Sequence, residues 1–142
     1  MAIREVIFRG KRTDSGEWVY GYYTKARYFL NKKEMHIIFE PDVEAFPHCE
    51  FTGYEEVLPE TVGQYTGLTD KNGVKIFEGD IVSLVKHDSL IYKVVYVPCR
   101  YELVNSKGVN CFVLDIYKSE NIEVIGNIHD NPDILKGGGD NG

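Results

Sequence analysis

The sequence predicts an all-β, strand-dominated fold, a small barrel or sandwich, on three observations. Short apolar runs alternate with period two, separated by turns rich in Gly, Asn and Pro at close spacing. Aromatic residues make up 13% of the chain, with 10 Tyr and 7 Phe, and such side chains pack well on a pleated, half-buried surface. Helical periodicity is almost absent: the one clear helix start is late, with Asn131 as N-cap, Pro132 at the first helical position and Asp133 in the first turn.

Each element follows from local chemistry. "REVIFRGKR" and "EWVYGYYTK" flank the turn "TDSG", in which Gly16 takes positive φ at no steric cost, so they read as a hairpin. Alternation puts Trp18, Tyr20 and Tyr22 on one face, with Val19 and Tyr23 on the other. "EMHIIFEP" is a third strand ending at Pro41, "EPDVEAFPHCEFTGYE" a long loop, and "EEVL" a strand stopped by Pro59. Asn72-Gly73 predicts a type I′ hairpin tip between the arms "QYTGLT" and "VKIF". Gly79 bends the chain into "DIVSLV". "SLIYKVVYV", apolar on both faces, is placed near the centre of a sheet or barrel. "CRYELVN" continues outward, "SKG" closes a hairpin to "VNCFVLDIY", and "KSEN" turns into "IEVIGNI". "NPDILK" supports about one helical turn, and the ending "GGGDNG" has too few apolar groups to offset its ordering entropy.

Composition narrows the function. A 142-residue chain with 43% hydrophobic and 27% charged residues buries a core without staples. The net charge of -6 opposes a protein that tracks nucleic acid through its phosphates. Three cysteines, Cys49, Cys99 and Cys111, cannot all pair within one chain. "MAIREVIFRGKR" lacks a signal-peptide core and no run is long enough to span a membrane. The expectation is a reduced, cytoplasmic protein with three free thiols.

Three blocks, "FRGK…GEWVYGYY", "ETVGQYTGLTDKNGVKIFEGDIV" and "EVIGNIHDNPDIL", span nearly the whole chain in specific order and spacing. On them the chain resembles the YopX family of bacteriophage and prophage proteins. The resemblance implies a phage-derived protein of the bacterial host cytoplasm whose second half is similar to an SH3-like small β-barrel, and it implies no activity. It marks Gly63, Gln64, Tyr65, Gly67, Asp70, Asn72, Gly73, Glu78, Gly79, Asp80, Gly126 and Asn127 as family-motif residues, read as structural. Residues Lys86 to Asn121 fit no part of the pattern, and His129 stands where an aromatic is more usual. The chain divides accordingly into an N-terminal hairpin region (1–60), an SH3-like barrel region forming one compact unit (61–135), and a flexible tail (136–142).

The candidate chemistry is weighed against turn chemistry. Glu78 and Asp80, two apart on a strand, would share a face as acid and base or as ligands for a hard cation. Asp70 and Asn72, however, are standard turn residues, and Asp80 can accept backbone N–H bonds across a bend. His36, His48, Cys49, His87, Cys99, Cys111 and His129 lack metal-ligand spacing, so no metal or cofactor is expected. The string His87-Asp88-Ser89 cannot act as a triad, because neighbouring strand residues point apart. No nucleophile elbow and no phosphate loop leading into a helix is present, so no enzyme is expected.

The tyrosines offer binding chemistry. Tyr20, Tyr22, Tyr23, Tyr28 and Tyr65 could stack nucleobases, with Arg9, Lys11, Arg12, Lys25 and Arg27 on phosphates, or could be amphipathic core residues with wet hydroxyls, the commonest case for tyrosine. With the acidic balance, the first reading is a protein-interaction module binding an unknown protein through Trp18, Tyr20, Tyr22 and Tyr65. A nucleic-acid-binding accessory factor is the alternative, and a hydrolase using Glu78 and Asp80 the third.

Overall fold

A computed structural model of the chain describes residues 5–27, 30–39, 54–85, 90–98, 100–108, 110–115 and 120–139; for 110–112 and 136–139 it describes the backbone. Residues 40–53 of the expected loop over 40–55, Tyr28, His48, Cys49, the His87-Asp88-Ser89 string, Cys99 and 140–142 lie outside these residues. The fold is all-β with one short helix. It separates into two compact units, Met1–Gln64 and Tyr65–Gly142. The division falls inside a strand.

In the first unit β1 (Phe8–Lys11), β2 (Trp18–Arg27), β3 (Glu34–Phe39) and β4 (Tyr54–Glu56) lie in the order β4-β3-β2-β1, all antiparallel. The other neighbour of β1 is Gly63 and Gln64, the first residues of β5 (Gly63–Thr69). The β1–β2 hairpin closes over Thr13 to Gly16, with Gly16 at φ 74 and its N–H donating to the Arg12 carbonyl (3.0 Å). β4 begins at Tyr54, earlier than the "EEVL" reading, because Tyr54 pairs with Phe39.

One face of this sheet is the core. Phe8, Val19, Tyr23 and the fully buried Ile38 point into it, joined by Val57, which bridges to Arg12. Gly10 lies there too: an added Cβ would sit 3.1 Å from Val57 Cβ. At Gly21 the backbones of β2 and β3 approach so closely that an added Cβ would collide with the Phe39 carbonyl oxygen. A 3-10 turn at Pro59–Thr61 follows Val57. Thr61 Oγ1 accepts from the Lys11 N–H (2.9 Å) and donates to the Leu58 carbonyl (2.6 Å), tying this turn to β1.

In the second unit β5 pairs with β6 (Lys75–Phe77). A five-stranded antiparallel sheet follows in the order β10-β9-β8-β7-β11, from β7 (Asp80–Leu84), β8 (Leu90–Val97), β9 (Arg100–Val104), β10 (Asn110–Val113) and β11 (Ile122–Asn127). β10 and β11 stand at opposite ends of this order, so the expected small barrel is not closed. Closure requires pairing between strands far apart in sequence, which local patterning does not encode.

Val82, Leu84, Tyr92, Val94, Tyr101, Leu103 and Ile122 form the inner face of this sheet, with Ile76 from β6, Leu114, and Leu68 from β5 packed against it. β8 is central in sequence and in space, yet its burial alternates: Tyr92 and Val94 are buried, Ile91, Lys93 and Val95 half-buried. A strand apolar on both faces is therefore used mainly on one. Helix α1 (Pro132–Gly139) packs against β8. It runs past the single turn expected and takes in Gly137 to Gly139, because docking on a sheet compensates for poor intrinsic helix propensity.

Candidate functional site

The family-motif residues build turns. After β5 the Asp70 N–H donates to the Val74 carbonyl (2.8 Å) and the Gly73 N–H to the Asp70 carbonyl (3.0 Å). Gly73 has φ 82, whereas Asn72 is not among the residues of positive φ. The hairpin tip expected at Asn72-Gly73 is there, but it is a three-residue loop with glycine in the left-handed position rather than a type I′ turn. Asp70, 5% exposed, explains the choice. Its Oδ1 accepts from the N–H groups of Asn72 (2.8 Å) and Val74 (3.0 Å), and its Oδ2 from that of Val124 in β11 (2.9 Å). One carboxylate thus shapes the loop and fastens it to another strand.

Asp80, 2% exposed, accepts from the Phe77 N–H (2.8 Å) across a turn containing Glu78 and Gly79. Gly79 has φ 91; its N–H donates to the Val94 carbonyl and its carbonyl accepts from the Ile128 N–H, both 2.9 Å. Glu78 lies in that turn and not on a strand, so the premise that it shares a strand face with Asp80 fails. Gly67, at φ 89, sits in a register shift of β5 between Tyr65 and Thr69. Near the C-terminus Asn127 Oδ1 accepts from the N–H groups of His129 (3.0 Å) and Asp130 (2.9 Å). Asn131 uses its side chain backward, accepting from the Asn127 N–H (3.3 Å), while its carbonyl accepts from the Ile134 N–H (3.1 Å). An added Cβ at Gly126 would meet Asn131 Oδ1 at 2.6 Å, so a side chain here would displace the Asn131 side chain from the Asn127 N–H.

The exposed chemistry lies on the outer face of the first unit. Trp18, Tyr20 and Tyr22 share it by alternation along β2. Cross-strand pairing adds Phe39, opposite Tyr22, and Tyr54, opposite Phe39, with the Phe39 and Tyr54 rings 6.2 Å apart. Tyr20, Tyr22 and Tyr54 are 46%, 54% and 44% exposed, while Trp18 and Phe39 are half-buried. Five aromatic side chains therefore line one solvent face. Tyr65 is not among them: it is buried in the second unit against Phe77 (ring centroids 5.6 Å), with Lys75 Nζ 5.6 Å from its ring. Tyr23 lies on the core face, as alternation predicts.

The neighbouring cations are engaged. Arg9, 6% exposed, stacks over the Trp18 ring at 4.7 Å, and Lys11 Nζ lies 5.4 Å from the same ring. Arg12 donates to both Asp14 oxygens (3.0 and 2.8 Å) and reaches Glu55 (3.4 Å). The hydrogen bond from Arg12 holds the Asp14 carboxyl below its ordinary range. Lys25 faces Glu34 (3.8 Å), which also pairs in register with Arg27. The basic N-terminal hairpin is thus interleaved with carboxylates, a pattern composition alone could not reveal. Among the described residues no three His, Cys, Asp or Glu side chains are placed to hold a metal ion. Among them, too, no helix is long and apolar enough to cross a membrane.

Comparison with known proteins agrees with this architecture. The crystal structure of protein EF1440 from Enterococcus faecalis is similar over 92% of this chain and 98% of its own, at 26% identity and a TM-score of 0.58. No curated protein matches. The model of the YopX protein family matches residues 7–136, from the start of β1 into α1, and the chain therefore belongs to the YopX family.

Proposed function

We propose that this YopX-family chain is a phage- or prophage-encoded binding protein that works in the bacterial host cytoplasm and docks a protein partner on the aromatic face of β2, β3 and β4. The observation that carries the reading is the row Trp18, Tyr20, Tyr22, Phe39 and Tyr54 on one solvent face. Tyr and Trp supply large, rigid contact area with a polar tip, and such anchors dominate interface energies. The charge distribution supports a protein over a nucleic acid. Arg9 and Lys11 lie on Trp18, Arg12 and Lys25 sit beside carboxylates, and the chain carries -6 overall. Phosphate binding draws on cations aimed outward, which release counterions.

The test is photo-crosslinking in host cells, with the reactive residue in place of Tyr22 or, as a control, of the equally exposed Tyr96 in β8. The Tyr22 position is expected to give a discrete protein adduct that the Tyr96 position lacks. Fluorescence anisotropy with single- and double-stranded oligonucleotides at physiological salt is expected to show weak, salt-sensitive binding, lost when Lys11, Arg12 and Arg27 are neutralised. Sub-micromolar, sequence-dependent binding would replace the protein-docking reading by nucleic-acid recognition.

A further inference from the structure

The core face of β2 and β3 ends in a polar cluster that the docking face does not use. Register places Tyr23, Lys25 and Arg27 of β2 on the same face as Ile38, His36 and Glu34 of β3. Beyond Ile38 that face turns from apolar to ionisable. Tyr23 Oη lies 2.6 Å from His36 Nδ1, and the two rings are nearly parallel, 11° apart. The opposite ring nitrogen, Nε2, lies 3.4 Å from Glu34 Oε1, and Lys25 Nζ is 3.8 Å from that same oxygen. The Phe8 ring packs against Tyr23 at 5.6 Å and limits its rotation. His36 is 17% exposed and Glu34 52%, so the cluster opens toward solvent at the Glu34 end.

This is the order of groups that activates a hydroxyl nucleophile: a hydroxyl within hydrogen-bond reach of a base, and the base oriented by a third group. With the ring proton on Nε2, the nitrogen nearer Glu34, Nδ1 carries the lone pair that accepts the Tyr23 O–H. We infer that Tyr23 is a nucleophilic tyrosine, a site that takes a group from an activated acyl- or phosphoryl-type donor. Tyr23 Oη forms the bond to the electrophilic centre. The bond from that centre to its leaving group breaks, the electron pair departs with the leaving group, and the phenolic proton passes to His36 Nδ1. The imidazole then carries a proton on each nitrogen, with Glu34 beside Nε2. His36 is the base and Glu34 a positioning residue. The cluster lies on the opposite face of β2 from the aromatic row, so the inference stands independently of partner docking.

The test treats the full chain with an aryl sulfonyl fluoride, a probe in which a tyrosine oxygen displaces fluoride, and maps the adducts by peptide mass spectrometry over time. Solvent access alone ranks Tyr22, Tyr20 and Tyr54 ahead of the half-buried Tyr23. Base assistance is expected to reverse that ranking, with Tyr23 labelled roughly tenfold or more faster than Tyr22. His36→Gln should remove the Tyr23 preference while the Tyr22 rate stays fixed, an internal check that the sheet is intact. Glu34→Gln, at an exposed position, should slow Tyr23 labelling, and Glu34→Asp should restore part of it. Labelling that follows exposure, or Tyr23 labelling unchanged by His36→Gln and Glu34→Gln, would make the pair a structural hydrogen bond and overturn the inference.

Discussion

The two units use the same strand chemistry toward different ends. Of the sixteen buried hydrophobic side chains among the described residues, only Ile37, Ile38 and Val57 belong to Met1–Gln64. The rest lie in Tyr65–Gly142, where sheet, β5–β6 hairpin and buried Asp70 lock together. The first unit instead turns aromatic side chains to water. A hydrophobic residue contributes to stability in proportion to the area it removes from solvent, so Leu103 stabilises this fold and Tyr22 contributes little to it. The difference separates the unit that buries most of the apolar side chains among the described residues from the unit that exposes its aromatic row.

Substitutions can break that contrast, beginning with the largest effect. Leu103→Ala, at a fully buried position of β9, is expected to cost about 3 kcal/mol in urea unfolding of the full chain, since it leaves a cavity as well as losing transfer energy. Asp70→Ala removes the acceptor of three backbone N–H groups and should cost about 2 to 3 kcal/mol. If either is neutral, the second unit does not carry the stability. Gly73→Val should cost about 1 to 2 kcal/mol, because a β-branched residue resists the left-handed conformation. Asn72→Ala should stay within about 0.5 kcal/mol, because no left-handed conformation is required there. Equal costs at Asn72 and Gly73 would restore the type I′ turn.

The smallest effect is in the first unit, at Asp14. Its carboxyl is held below the ordinary value of 3.8, first by the hydrogen bond from Arg12. A folded-state value depressed in this way contributes stability above 3.8, and that contribution is lost as pH falls through the lower folded value. A carboxyl titration followed by nuclear magnetic resonance should place the Asp14 midpoint below 3.8, and Arg12→Gln should return it toward that value. No change in Arg12→Gln would remove the pairing that occupies this cation.

Much of this was legible in the chain, wherever a property is local. The alternation "WVYGYY" put Trp18, Tyr20 and Tyr22 on one face, and turn residues marked the β1–β2 and β5–β6 hairpins. The helix start at Asn131-Pro132 was readable too, but not its length, which depends on packing against β8. What depends on pairing between distant residues was not readable. Tyr54 reads as the end of a loop until β3 brings Phe39 beside it. Tyr65 reads as a binding or a core aromatic alike until Phe77 and Lys75 cover it. The Tyr23–His36 contact joins residues on two strands whose register no local signal sets. The barrel failed for the same reason: alternation identifies strands, and it does not say which edges meet.

The most direct measurement replaces Tyr20 and Tyr54 together by Thr, which keeps strand propensity while removing the rings, in the chain that carries the photo-reactive residue at position 22. Partner retention by this variant is compared with its urea midpoint, both relative to the same chain with Tyr20 and Tyr54 intact. The division of labour predicts a midpoint changed by less than about 1 kcal/mol-equivalent together with loss of the protein adduct captured from the Tyr22 face. A chain that unfolds, or one that stays folded and still holds the same partner, would contradict it.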